Sequence, residues 1–197
     1  SMSPESVYVN MLVVVESFVD LGGVAISAGL LYAKFSRPTA RVAFSEPFVV
    51  LTRNGRPCMM FRVANQRASH IVEARLTLTA LMDEVTDEGQ TMRRLVSVPL
   101  ERSESPMFLL SWTAMHYLDE GSPLAFLAEG RWEPACRGLL VSLTGMEAGF
   151  SQQVHVRTSY FESSVRFNHD FLDMVRTDDD GTIELDVSRI HLVEPMK

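Results

Sequence analysis

The most prominent pattern in the sequence is a long and nearly unbroken run of apolar side chains close to its start. The run extends from Val7 to Phe35. At about 1.5 Å of rise per residue, a helix of this length can cross a bilayer. Two acidic residues interrupt the run, Glu16 and Asp20, and their spacing of four places them on the same side of a helix. We therefore predict one transmembrane helix within residues 1–35.

The polar residues of this run share one narrow face of the predicted helix. At about 100° per residue, Glu16, Asp20, Gly23 and Ser27 lie in one stripe. Ionisable groups at membrane depth normally face a bundle interior or a water-filled cavity, so the stripe indicates the lining of a pore. One helix cannot enclose a cavity, and we therefore expect identical copies around it. A signal peptide or a buried helix of a soluble domain are the alternatives for this segment.

Basic residues follow the apolar run. Lys34, Arg37 and Arg41 place this end of the helix on the cytoplasmic side. Basic groups just below a bilayer attract anionic headgroups by about 1 kcal/mol each. Simple positive-inside anchoring explains the same residues without a specific lipid site. Because Pro38 prevents a clean continuation of the helix, residues 36–41 are predicted to form a short tether.

Beyond the tether the hydrophobic period changes to two, which is typical of strands. Asn54-Gly55 is a strong hairpin signal, and Leu124 to Glu129 is a candidate short helix. Many short strands without a long amphipathic helix predict a mostly β fold, a β-sandwich over residues 42–197. The strands are predicted at Val42–Phe44, Phe48–Thr52, Cys58–Val63, Ile71–Asp83, Met92–Pro99, Met107–Trp112, Gly138–Thr144, Gln153–Tyr160, Arg166–Phe167 with Phe171–Val175, and Ile183–Asp186.

Composition and motifs argue against several classes of function. The net charge of −7 argues against a general nucleic-acid surface. Cys58 and Cys136 lie in apolar surroundings without a CxxC spacing, which predicts reduced core residues of a cytoplasmic domain. The sequence contains no GxSxG, HExxH, P-loop or GxGxxG set, and its five histidines are scattered. We therefore expect no catalytic site, no metal site and no cofactor.

A series of short motifs follows in order along the chain. They are Ala33–Pro38 (AKFSRP), Phe61–Arg67 (FRVANQR), Ile71–Ala74 (IVEA), Leu110–His116 (LSWTAMH), Asp119 with Ser122-Pro123-Leu124, Thr144-Gly145-Met146, and Val154–Tyr160 (VHVRTSY). In this order the motifs resemble the inward-rectifier potassium channel family, and its bacterial branch in particular. The resemblance extends over about residues 7 to 190.

The resemblance implies an assembly and a permeant ion. We expect a homotetramer embedded in the cell inner membrane, whose inner helices line a pore for potassium and whose immunoglobulin-like cytoplasmic domains extend that pore. Voltage gating is a further expectation. The family's outer helix, pore helix and T-V-G-Y-G filter are expected to be absent from this chain, so the chain alone should not conduct potassium selectively.

The resemblance also suggests roles within the helix. Together with the polar stripe, it gives the pore-lining set Glu16, Asp20, Val24 and Ser27. Val24 falls where many eukaryotic members carry an acid, and a valine cannot attract a cation, which argues against strong rectification at that position. For the gate, the resemblance assigns Tyr32 to the constriction at the helix-bundle crossing and Gly29 to the glycine just above it.

The resemblance also suggests roles for residues at the end of the helix and beyond it. Lys34, Arg37, Arg41 and Arg67 match positions that contact anionic membrane lipid or couple that contact to the pore. The cytoplasmic pore set is Glu73, Gly145, Met146 and Glu147, with residues 145–151 matching a loop that forms a girdle at the top of that pore.

Two other hypotheses remain open from the sequence. One is a membrane-anchored β-sandwich that binds a protein partner without conduction. The other is a soluble sandwich enzyme that uses His116 and His155. Neither is marked by a motif.

Overall fold

A computed structural model of the chain describes residues 6–35, 42–66, 69–149, 151–177, 181 and 183–196. The chain divides into two compact units, Ser1–Thr39 and Ala40–Lys197. The predicted domain boundaries, with a tether over residues 36–41, lie in a part of the chain outside the described residues and stay predictions.

The described residues of the first unit form one helix, α1 (Val7–Phe35). Its segment Val7–Ala33 has a mean hydropathy of 1.8, and none of its most apolar stretch is buried within the chain. Length and composition allow this helix to cross a membrane, a property that some signal sequences and some buried helices share. The helix runs without interruption through Gly22-Gly23 and Gly29.

The second unit is built from fourteen strands within the described residues. They are β1 (Val42–Phe44), β2 (Phe48–Arg53), β3 (Arg56–Asn65), β4 (Ile71–Val85), β5 (Thr91–Val98), β6 (Glu104–Phe108), β7 (Ser111–Tyr117), β8 (Cys136–Glu147), β9 (Gln152–Tyr160), β10 (Val165–Phe167), β11 (His169–Phe171), β12 (Val175–Thr177), β13 (Ile183–Leu185) and β14 (Val193–Pro195). Three short 3₁₀ helices, Ala125–Glu129, Glu162–Ser164 and Val187–His191, lie between them.

The strands form two five-stranded sheets and two small two-stranded ones. In the first large sheet, β3 pairs with β1 and β2 and also with β7, and β10 joins β2 in parallel. In the second, the order is β5-β4-β8-β9, with β6 paired to the first half of β4.

The core lies between the inward faces of the two large sheets. Strand β4 shows the alternation that a half-buried strand requires, with Leu76, Leu78 and Ala80 buried on one face. Tyr160 and Phe48 pack edge to face in the same core, with ring centroids 5.5 Å apart. The predicted fold class is confirmed: the chain is mostly β, an immunoglobulin-like β-sandwich preceded by one apolar helix.

The last strands of the chain form a long hairpin, which we call the C-terminal hairpin (its described residues are 169–177, 181 and 183–196). Its two arms pair as β11 with β14 and as β12 with β13. Phe171 enters a second apolar cluster with Val49, Leu51, Cys58 and Met60 of the first sheet. Farther along the hairpin, Met174 and Ile190 pack on Ala64. The C-terminal hairpin therefore covers one face of β2 and β3.

The structure corrects two predicted strands. The predicted strand Met107–Trp112 is wrong, because β6 ends at Phe108 and β7 begins at Ser111. β6 pairs with β4 in one sheet and β7 with β3 in the other, so this apolar run marks the crossing from sheet to sheet. The predicted strand Phe171–Val175 is also wrong, since these residues end β11 and begin β12. The predicted short helix Leu124–Glu129 is present as the 3₁₀ helix Ala125–Glu129.

Candidate functional site

The polar stripe of α1 lies on an exposed helical surface. Asp20, Gly23, Val24 and Ser27 border a shallow groove on this surface. Two of the lining residues, Gly23 and Ser27, are small and lie four positions apart. Small residues at such spacing allow another helix to approach closely in a membrane. Glu16 lies one turn earlier along the same stripe.

The predicted gate residues lie near the end of α1. The Tyr32 side chain is 75% exposed within the chain. A β-carbon at Gly29 would meet no atom within 4 Å, so packing inside one chain does not require a glycine there. At about 100° per residue, the twelve positions from Asp20 to Tyr32 correspond to a rotation of about 120°. A straight helix therefore does not present Asp20 and Tyr32 on the same narrow face.

The side chains of all four predicted lipid contacts lie outside the described part of the chain. This applies to Arg37, Arg41 and Arg67, and also to the side chain of Lys34. Their assignment to anionic lipid stays a prediction.

Glu73 occupies an irregular position in the second sheet. It lies between Val72, which is paired with Met146, and Arg75, which is paired with Thr144, where the register of β4 and β8 shifts. Its backbone has a φ of 51°, which is uncommon for a residue with a side chain. A β-bulge of this kind re-aims a side chain, and the Glu73 side chain is exposed.

Gly145 lies opposite this bulge. A β-carbon at position 145 would lie 2.6 Å from Ile71 Cγ2, 3.1 Å from the Val72 carbonyl oxygen and 3.2 Å from Ala74 Cα. The bulge in β4 therefore requires a glycine on β8. The structure thus brings together Glu73 and Gly145, two of the predicted cytoplasmic pore residues.

The remaining two members of that set differ in their exposure. Met146 is 41% exposed and lies in one cross-strand row with Val72 and Met107. Glu147 is only 4% exposed, so its carboxylate is buried within the chain. A β-carbon at Gly149 would come within 3.0 Å of Glu147 Oε1, which shows that this carboxylate lies against the turn after β8. Whether these residues line a pore stays a prediction.

His116, a candidate of the enzyme hypothesis, has both ring nitrogens engaged. Its Nδ1 lies 2.6 Å from the Pro99 carbonyl oxygen and therefore donates to it. Its Nε2 lies 2.7 Å from Ser122 Oγ, which in turn accepts from the Leu124 backbone N–H. Burial lowers the pKa of the imidazole. The two hydrogen bonds of His116 connect the loop after β7 to the end of β5.

The other candidate of that hypothesis, His155, lies elsewhere in the fold. It is exposed on β9 of the second sheet, where it pairs with Thr144, whereas His116 belongs to β7 of the first sheet. Among the residues that the structure describes, no group of three or more His, Cys, Asp or Glu side chains is placed to hold a metal ion.

Sequence reasoning missed Arg62 as a structural residue. Its guanidinium donates to the Leu172 carbonyl oxygen and lies 4.8 Å from the centre of the Phe171 ring. Burial lowers the pKa of this arginine. Arg62 thus anchors the C-terminal hairpin. The sequence feature that could have indicated this role is an arginine placed among the apolar residues of β3.

Comparisons with known proteins match the sandwich and the helix. The family model of the inward rectifier potassium channel C-terminal domain matches residues 42–197. Kirbac3.1, an inward rectifier potassium channel of Paramagnetospirillum magnetotacticum, is 37% identical over 182 residues, which are 92% of this chain and 62% of that protein. The human ATP-sensitive inward rectifier potassium channel 10 is 33% identical over 81% of this chain and 44% of its own length. The chain therefore spans less than two thirds of either relative.

Proposed function

The chain belongs to the inward-rectifier potassium channel family, and we propose that four copies of it form the inner pore helices and the cytoplasmic domains of a potassium channel. The observation that carries the proposal is the family match over the whole sandwich, directly after an apolar helix with two acids inside it. The named relatives are ion channels rather than enzymes. Potassium is the proposed permeant ion, and the cell inner membrane is the proposed location.

In the proposed assembly, the stripe of α1 faces the central axis. Asp20 on four copies concentrates cations in the cavity above the gate, because clefts lined by one sign of charge raise the local concentration of counter-ions. Glu16 adds charge one turn earlier. Val24 contributes no charge, so block by intracellular cations is expected to depend on Asp20. Ser27 offers a hydroxyl to passing ions.

The proposed gate is the exposed ring of Tyr32, with Gly29 less than one turn before it. Four such rings narrow the pore where the helices converge, and a hydrophobic constriction closes a pore by excluding water. A glycine without packing partners in its own chain permits the helix to bend there.

Anionic membrane lipid is the proposed regulator. Lys34 lies in the last turn of α1, Arg37 and Arg41 follow the helix in the sequence, and Arg67 comes between β3 and β4 in the sequence. Basic residues near a cytoplasmic leaflet attract anionic headgroups. Lipid that binds one gate state more tightly shifts the population toward that state.

The proposed cytoplasmic pore includes the bulge and the turn after β8. The exposed Glu73 carboxylate at the bulge supplies negative charge, and Gly145 and Met146 lie beside it on β8. Glu147 is buried in its own chain, so we assign it to support of the turn and not to the charge of the pore. This division of roles is part of the proposal.

The expectation of voltage gating is wrong for this family. Voltage sensors carry rows of arginine in a membrane helix, and the sequence of α1 contains no arginine. The proposed gating therefore depends on ligands or lipids.

The test is potassium flux through a chimera. The chain replaces the corresponding part of Kirbac3.1, so that the relative supplies the remainder of its own sequence, and the chimera is reconstituted in liposomes. We expect potassium-selective flux that barium blocks. A folded tetrameric chimera without flux, beside an active Kirbac3.1 control, would contradict the proposal and favour a membrane-anchored binding module.

A further inference from the structure

One hydrogen bond joins the end of the chain to the beginning of the sandwich. The Glu46 backbone N–H donates to Nδ1 of His191 at 3.0 Å. Glu46 lies between β1 and β2, and His191 ends the 3₁₀ helix Val187–His191 in the return arm of the C-terminal hairpin. Both residues are exposed, so protons in solution reach the imidazole.

The geometry fixes the protonation state of this imidazole. A backbone N–H can only donate, so Nδ1 must accept with its lone pair and the proton of the neutral ring must be on Nε2. When the ring takes up a second proton, Nδ1 becomes a donor that faces another donor. The hydrogen bond from Glu46 cannot exist in that state.

The other polar contacts of the hairpin differ in chemistry. Arg53 pairs with Asp170 at 2.7 Å, and Arg62 donates to the Leu172 carbonyl oxygen, so arginines hold the first arm. Arginine stays charged at every physiological pH. The return arm is held by the hydrogen bond from the Glu46 N–H to His191. This hydrogen bond is lost when the imidazole is protonated.

We propose that His191 is a pH-sensitive contact of the C-terminal hairpin: the neutral imidazole accepts from the Glu46 backbone N–H, and the protonated imidazole releases it. The apolar anchors Met174 and Ile190 on Ala64 do not depend on pH. Acidification therefore frees the Glu46 amide while the hairpin remains docked. Glu46 comes five residues after Arg41, the last residue of the predicted tether.

Charged groups surround this contact on each element packed against it. Glu46 contributes a carboxylate from the connection between β1 and β2, and Arg62 a guanidinium from β3, which packs against the 3₁₀ helix. Asp186 and Arg189 belong to the helix and its cap, where Asp186 accepts from the Ser188 N–H. The Glu46 carboxylate is the group that a protonated His191 would attract after the hydrogen bond breaks.

Hydrogen exchange at the Glu46 amide tests the proposal on the full chain in detergent. The exchange rate is measured near pH 7.5 and near pH 5.5, and the protection is the intrinsic exchange rate at each pH divided by the measured rate. Loss of one hydrogen bond of ordinary net strength lowers protection about fivefold. We expect this loss at the acidic pH in the unaltered chain, with the amides of β3 unchanged.

Matched variants distinguish the effect of protonating His191 from other effects of low pH on the chain. In His191→Asn, the amide oxygen replaces Nδ1 as an acceptor at every pH, so we expect protection that does not change with pH. In His191→Leu, no acceptor remains, so we expect weak protection at both pH values. The proposal would be overturned if protection of the Glu46 amide in the unaltered chain did not change with pH. It would also be overturned if His191→Leu showed the same pH dependence as the unaltered chain. Neither readout requires conduction, so failure of the channel proposal leaves this test intact.

Discussion

Gly145 on β8 lies so close to Ile71 on β4 that a β-carbon at position 145 would come within 2.6 Å of Ile71 Cγ2. The close approach arises at the bulge, where Glu73 has a positive φ. A glycine on one strand thus permits an irregular acidic residue on the next. In the proposed channel this pair belongs to the wall of the cytoplasmic pore.

The first prediction concerns this contact. Gly145→Ala should lower the free energy of unfolding by about 1–3 kcal/mol, because the added methyl group forces Ile71 or the bulge to move. Urea unfolding of the full chain in detergent measures this. Gly121→Ala is the matched control, since a β-carbon there meets nothing within 4 Å. Equal effects of both substitutions would contradict the packing argument.

The second prediction concerns stability against pH. Burial lowers the pKa of His116 below its ordinary value of 6.5 in the folded chain. The unfolded chain therefore binds more protons in acid, so this contribution to stability is complete above about pH 6.5. It decreases as the pH falls below that value and stops changing below the pKa of the folded state.

Urea midpoints across this pH range check the second prediction. In His116→Gln the acid-dependent loss should shrink, whereas His155→Gln, which alters an exposed ring, should retain it. An identical pH profile in the unaltered chain and in His116→Gln would show that another group causes the loss.

The third prediction concerns the gate. Tyr32→Ala should increase potassium flux through the chimera by raising the open fraction, because four aromatic rings no longer narrow the pore. Leu30→Ala, another exposed apolar position of α1, serves as the control for general disturbance of the helix. Unchanged flux in Tyr32→Ala would remove this residue from the gate.

The fourth prediction concerns lipid. Arg37→Ala should weaken binding of the chain to liposomes that contain anionic lipid by about fivefold, in keeping with about 1 kcal/mol per basic residue. The difference should disappear at high salt, where charges are screened. Arg94→Ala removes a cation that pairs with Glu84 on the sandwich and should have no such effect. Equal binding of Arg37→Ala and the unaltered chain at low salt would contradict the lipid assignment.

Local patterns were sufficient to predict most of the fold. The period-two stretches gave β3, β4 and β9 to within a few residues, and Asn54-Gly55 forms the turn between β2 and β3. Both cysteines lie in the core, as predicted. These features depend on side chains that are near one another in sequence, so pattern reasoning detects them.

Features that depend on distant pairing were missed. The break between β6 and β7 follows from their partners in different sheets, and the apolar run across the break hides it. The C-terminal hairpin was incompletely predicted because β11 and β14 have three residues each and pair across more than twenty positions. For the candidate site, the burial of Glu147 depends on the turn that closes over it. A glutamate in the sequence gives no indication that its carboxylate is buried.

The oligomeric mass of the full chain in lipid nanodiscs tests whether several copies assemble around a shared pore. A stripe of acids on α1 can line a pore only when several copies enclose it, so we expect four copies of the 22.1 kDa chain by native mass spectrometry. Glu16→Leu combined with Asp20→Leu should leave that mass unchanged, because the sandwiches still assemble. A monomer or a dimer at every protein concentration would contradict the proposed tetrameric channel.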